Sequence, residues 1–198
     1  MWAPLLADTL RHAALAFGAL ALASAAGVPL GVLAASRGWA RSPILGAAAV
    51  GRTLPSIALL ALLIPLLGVG TPPAIVALVL LALPPIIFNV DLGIRSTPAA
   101  ALDAATGMGM SSAQRFSRVV IPFALPTAFA GIRTASVEVI GSATLATFIG
   151  AGGLGDDIVR GLQTGDGTLL LAASALVAAM AFCAELFFGR VAARAANA

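Results

Sequence analysis

Five stretches of mostly apolar residues, at about 13–35, 53–69, 72–94, 121–149 and 168–189, run through this chain with only short polar breaks between them. A helix needs roughly 20 such residues to cross the hydrocarbon core of a membrane. Away from water a backbone can satisfy its own polar groups only as a helix or a closed barrel, so these segments predict an all-α bundle of about five transmembrane spans. The first stretch follows Arg11 as a signal-peptide core would, but it exceeds the roughly 7–15 residues of such a core and four more spans follow, so it is expected to be retained.

Only 10% of the residues are charged, against about 25% in a soluble domain. A chain of this length cannot cover itself with polar surface, and hydrocarbon is its natural solvent. The net charge of +3 comes from eleven arginines with no lysine, dispersed between apolar runs and forming no patch suited to nucleic acid. Their distribution orients the spans. Arg37, Arg41, Arg52, Arg95, Arg115, Arg118, Arg133, Arg190 and Arg194 are assigned to one side and Arg11 and Arg160 to the other. The positive-inside bias then puts the N-terminus outside, and the 95–120 loop and the C-terminus in the cytoplasm.

Cys183 lies in an apolar run, so neither a disulfide framework nor a cysteine metal cluster can form within the chain, and a small buried hydrophobe is expected there. His12 has no partner ligands nearby in the sequence and is expected at the interface without a functional role. Prolines 55, 65, 84, 85 and 126 interrupt or kink the spans, which fits either helices packed around a pathway or ordinary packing kinks. Gly27, Gly31, Ala34 and Ala35 allow close helix contact.

Residues 98–120, PAAALDAATGMGMSSAQRFSRVV, read as two short helices joined by a glycine turn at Gly107 and Gly109. A compact element of this kind on the cytoplasmic face suits docking into a partner's groove, because it transmits displacement as a rigid body. Asp103-Ala104-Ala105, Gly109 four residues after Ala105, and Val119-Val120-Ile121-Pro122 resemble the EAA loop of bacterial ABC importer permeases. That motif runs Glu-Ala-Ala, three residues, Gly, nine residues, then an aliphatic residue, another residue and Leu-Pro. Asp103 replaces Glu with a shorter arm, and Ile121 replaces Leu at nearly equal volume.

The resemblance implies that the loop at about 95–120 is the helix that couples to an ATPase subunit, carried by Asp103, Ala104, Ala105, Gly107, Gly109 and Pro122. It implies one transmembrane permease domain over 1–198, of the type I ABC importer permease type, in a bacterial inner membrane. RTLPSIALLALLIPLLGVGTPPAIVALVLLALPPIIFNVDLGI from Arg52 and GIRTASVEVIGSATLATFIGAGGLGDDIVRGL from Gly131 are most similar to permeases of glycine betaine, carnitine and choline importers. Methionine importer permeases share the general layout and the GGLG element.

Glu138 is the carboxylate well inside the fourth span. It either lines the pathway and attracts a cationic head group or pairs with a serine, threonine or arginine of another helix. Asn89 and Asp91 are expected to be interfacial or structural, and Glu185 to reach the interface. The run 150–155, GAGGLG, lacks the Lys-Ser/Thr of a phosphate loop. By resemblance its Gly152, Gly153 and Gly155 form an extracytoplasmic re-entrant turn near the gate.

There is no tyrosine, and the two tryptophans are Trp2 and Trp39, so an aromatic cage for a quaternary ammonium is expected on a separate extracytoplasmic binding protein. The sequence carries no Walker motif, metal cluster or catalytic triad. The chain is therefore not expected to be an enzyme or to hold a cofactor, and ATP is expected to bind a separate ATPase subunit. The remaining expected partners are membrane lipid and a second permease, either another copy or a related chain; nucleic acid is not among them. The alternatives are an ABC importer permease for methionine or another small polar solute, and an ATP-independent secondary transporter, whose usual internal repeat this sequence lacks.

Overall fold

The computed structural model describes residues 2–196, with side chains described from residue 4. Among the described residues there are helices and no strands. Helix α1 is Trp2–Ser36, α2 Gly38–Gly51, α3 Ser56–Leu67, α4 Thr71–Arg95, α5 Ala99–Gly107, α6 Ser112–Arg115, α7 Ile121–Ala143, α8 Leu154–Thr164 and α9 Gly167–Ala196. A π-helical segment, Phe116–Val120, joins α6 to α7, and a 3-10 segment, Thr144–Ile149, extends α7.

Four of the five expected spans correspond to long continuous helices: α1, α4, the run Ser112–Ile149, and α9. The expected span at 53–69 is corrected. Helix α3 has only 12 residues, about 18 Å at 1.5 Å per residue, which is too short to cross alone. It is preceded by α2, and the two meet at a bend of 101°. Pro55 sets this break: it has no N–H, it disfavours helical backbone at Leu54, and it stands extended at φ −60° and ψ 132°.

Close contacts fix the path of the chain. Gly27 and Gly31 of α1 lie against Ile86 and Val90 of α4 in the same order, so these helices are parallel. A Cβ on Gly31 would stand 2.6 Å from Val90 Cβ, so only glycine lets the helices approach this closely. Parallel α1 and α4 require α2 and α3 together to return the chain from one end of the bundle to the other. Gly93 of α4 meets Ala124 of α7 and Gly131 meets Asn89, so α7 is antiparallel to α4. Helix α8 packs on the end of α7 where Gly155 meets Thr144 and on the first turn of α9 where Gly161 meets Leu170, and the Arg133–Glu185 ion pair joins α7 and α9 farther along, so α9 is antiparallel to α7. Five traverses result among the described residues, so α1 starts and α9 finishes at opposite ends of the bundle.

Helix α4 is the centre of the bundle, with Ala74, Ala77, Leu78, Ala82 and Ile86 fully buried. Near its C-terminal end Asp91 is buried and accepts hydrogen bonds from Arg41 Nε at 3.3 Å and Nη2 at 3.1 Å. This two-pronged pair ties α2 to α4 and realises the structural role expected for Asp91. The Arg41 side chain is 43% exposed and that of Asp91 only 6%, so the two are not equivalent. Removing Arg41 strands a buried carboxylate, at about 3–5 kcal/mol. Removing Asp91 leaves a guanidinium that still reaches the surface, at about 1–3 kcal/mol. Arg41→Ala is therefore expected to lower the thermal midpoint in detergent more than Asp91→Ala, and equal losses would contradict this assignment.

Two arginines move from their expected places. Arg133 lies within α7, not beside the 95–120 loop. Arg52 follows α2 with its guanidinium 5.7 Å from the centre of the Phe88 ring, about a turn inward from Asp91. Taking both from the nine leaves Arg37, Arg41, Arg95, Arg115, Arg118, Arg190 and Arg194 at the loop end, seven against the two at the other. The bias keeps its sign.

Candidate functional site

The loop between α4 and α7 is a braced helical hairpin. At the end of α5 the N–H of Gly109 donates to Thr106 O at 2.9 Å and that of Met110 to Ala105 O at 3.1 Å. This is a Schellman closure, and it needs the left-handed φ of +76° that Gly109 supplies. Ser111 then caps α6: its hydroxyl accepts from Gln114 N–H, while Gln114 Oε1 accepts from Ser111 N–H at 2.9 Å, a reciprocal capping box. Arg115 reaches back to donate to Thr106 Oγ1 at 2.7 Å, clamping α6 onto α5.

Ala105 is buried within this hairpin, whereas Asp103, Ala104, Gly107, Met108 and Gly109 are exposed along its outer edge. Pro122 is exposed at the start of α7, directly after the π segment Phe116–Val120. Having no N–H to continue the α ladder, it sits where the helical register changes. Asp103, Ala104, Gly107 and Gly109 are thus all exposed on the α5 half of the hairpin.

At the opposite end, the 150–155 turn is packed, not open. Gly152 and Gly153 take φ of +79° and +95°, and Gly152 lies so close to Arg11 that a Cβ would stand 2.7 Å from its guanidinium. A Cβ on Gly155 would meet Thr144 O at 2.2 Å. All three glycines are buried, and their neighbours are α1 and the residue that opens the 3-10 segment. Asp156 accepts a hydrogen bond from Thr147, and Asp157, buried, pairs with Arg160 at 3.1 Å. Burial, then the neighbouring Asp8 carboxylate, holds the Asp157 carboxyl above its ordinary range, with Arg160 opposing the shift.

His12 departs from expectation: it is fully buried, not interfacial, and its Nε2 donates to Ile140 O at 3.0 Å. The change from α to 3-10 explains this. Thr144 N–H bonds to Gly141 O and Ser142 O, so Ile140 gives up its helical donor and the imidazole of α1 replaces it. Cys183, expected to be buried, is exposed on α9.

Glu138 is exposed on α7 and, with Thr134, Val137, Ala181, Phe182 and Glu185, lines an open groove of about 570 Å³ between α7 and α9. Glu185, which lines this groove, pairs with Arg133 of α7. No grouping of three or more His, Cys, Asp or Glu suited to a metal ion occurs among the described residues. The hairpin has a further sequence signal in Ser111…Gln114, the Ser-x-x-Gln pattern of a capping box. The two interhelical ion pairs had only the weak signal that an isolated charge in an apolar span needs some partner.

Residues 27–197 match the family model of the binding-protein-dependent transport system inner membrane component. The chain is 40% identical over 187 residues to the carnitine transport permease protein OpuCB of Listeria monocytogenes, covering 94% of this chain and 86% of that one. It is 44% identical over 159 residues to the choline transport system permease protein OpuBB of Bacillus subtilis (strain 168), covering 80% and 73%. The osmoprotectant import permease protein OsmW of Salmonella typhimurium is 40% identical over 188 residues, covering 92% and 87%. In three dimensions the chain superposes on a chain of the inward-facing MetNI methionine ABC transporter with a TM-score of 0.85 at 24% identity, covering 98% and 97%, a likeness of fold. The match extends over most of the chain and includes the capped hairpin, so this protein belongs to the family of binding-protein-dependent transport system inner membrane components.

Proposed function

We propose that the chain is the membrane-spanning permease of an ATP-driven importer that passes a quaternary-ammonium osmoprotectant, such as glycine betaine, carnitine or choline, by alternating access. The observation that carries this reading is the 40–44% identity to permeases named for carnitine, choline and osmoprotectant import. The N-terminus is outside and the C-terminus in the cytoplasm of a bacterial inner membrane, as the seven-to-two arginine distribution favours. The α5–α6 hairpin docks on an ATPase subunit that binds ATP, and an extracytoplasmic binding protein delivers the solute at the α8 end. A second permease, a copy or a related chain, completes the passage. Closure of the ATPase pair moves the two hairpins as rigid bodies and turns the spans from inward-open to outward-open. The 150–155 turn acts as a hinge at the outer gate.

In this mechanism Glu138 lines the passage and offers negative charge to a cationic head group in surroundings of low dielectric. Glu138→Gln is expected to reduce uptake of every quaternary amine by about tenfold, the equivalent of one weakened charge contact. Unchanged uptake by the variant would remove that role. Substrate class is tested by measuring saturable uptake of labelled glycine betaine, carnitine, choline and methionine into proteoliposomes holding this chain, its ATPase and its binding protein. Uptake of a quaternary amine is expected; uptake of methionine alone would keep the architecture and overturn the substrate.

A further inference from the structure

The charges at the α7–α9 groove do more than attract a cation. Arg133 and Glu185 are paired across the two helices with side chains 44% and 35% exposed, on two helices long and apolar enough to cross a membrane. Among the described residues Arg133 makes one side-chain hydrogen bond, from Nη2 to Glu185, and the rest of its guanidinium fork is unused. Its guanidinium passes over Gly189, one turn along α9, where a Cβ would stand 3.7 Å from it. Glu138 and Phe182 face the same groove as Glu185. Charged groups on spanning helices are costly against lipid and characteristically face protein or a water-filled cavity.

Two carboxylates, one guanidinium and an aromatic ring beside one cavity complement a molecule bearing a carboxylate and a quaternary ammonium. A solute carboxylate has the same planar geometry as the Glu185 side chain and can take its place on the Arg133 fork. The freed Glu185, with Glu138, then faces the solute's cationic end, and the Phe182 ring offers it a π face. We propose that the Arg133–Glu185 pair is an exchange site for zwitterionic quaternary amines, opened when the solute's carboxylate displaces Glu185 from Arg133. This rests on the transport reading above and adds a discrimination that the reading lacks: a purely cationic amine has nothing to offer Arg133.

The test is uptake into proteoliposomes holding the complete importer, with glycine betaine as the zwitterion and choline as the cation. Arg133→Gln is expected to lower kcat/KM for glycine betaine relative to choline by about tenfold, the loss of one charge-assisted contact. Because this variant leaves Glu185 without its partner, the double variant Arg133→Gln with Glu185→Gln, which removes both charges together, is measured in parallel and is expected to show the same fall in ratio. An unchanged ratio in a folded variant, or wild-type uptake of choline with none of glycine betaine, overturns the exchange site and leaves the importer reading standing. Wild-type uptake of neither amine overturns the exchange site together with the quaternary-amine substrate class on which it rests.

Discussion

Gly109→Pro is expected to yield a chain that inserts and folds normally yet loses ATP-driven uptake by roughly a hundredfold. Gly109 closes α5 at φ +76°, and proline is locked near −65° with no N–H to give Thr106. Holding the native turn against that mismatch costs on the order of 3 kcal/mol, which leaves about one hairpin in a hundred correctly shaped. The hairpin is exposed and outside the helical core, so the damage stays local and the thermal midpoint should hardly move. Gly109→Ala, with a left-handed cost of about 1–2 kcal/mol, should lose about tenfold. Uptake is read beside the amount of folded chain in the membrane, and wild-type transport by the proline variant would remove the hairpin from the coupling step.

The second large effect is structural and lies at the other end of the bundle. Gly155→Ala adds a single methyl, but Thr144 O already occupies its position, 2.2 Å from where the Cβ must stand. Backbone cannot yield as a side chain would, so α8 has to lift away from the 3-10 segment, weakening the Thr147–Asp156 contact and the buried Leu154 packing with it. A loss of about 3 kcal/mol or more is expected, at the top of the overpacking range. Gly46→Ala on α2, where a Cβ meets nothing within 4 Å, serves as the matched control and should be neutral or slightly stabilising. Equal thermal midpoints for the two variants would contradict the packed-turn description.

Much of this molecule was legible from its residues because hydropathy and helix punctuation are local signals. Spans near 72–94, 121–149 and 168–189 coincide with observed helices to within a few residues at most of their ends. The α5–α6 hairpin could be read as well, since Gly109 and the residues around it act on their immediate neighbours. The 53–69 segment misled because its apolar run continues through Pro55, and the resulting bend turns a span into half of one. Charge pairing was invisible for a different reason. Arg41 meets Asp91 across 50 residues and Arg133 meets Glu185 across 52, and nothing local to an arginine says which carboxylate the fold will bring to it. His12 belongs with these: its partner is a carbonyl released by a change of helix type 128 residues away.

In the proposed function this chain moves solute only when a separate ATPase drives it through the α5–α6 hairpin. The most direct measurement is glycine betaine uptake into proteoliposomes assembled with the binding protein, this chain and either an active ATPase subunit or none. Saturable, ATP-dependent uptake is expected with the ATPase and background uptake without it. Equal uptake in its absence would rule out this coupling and make the chain a self-sufficient transporter.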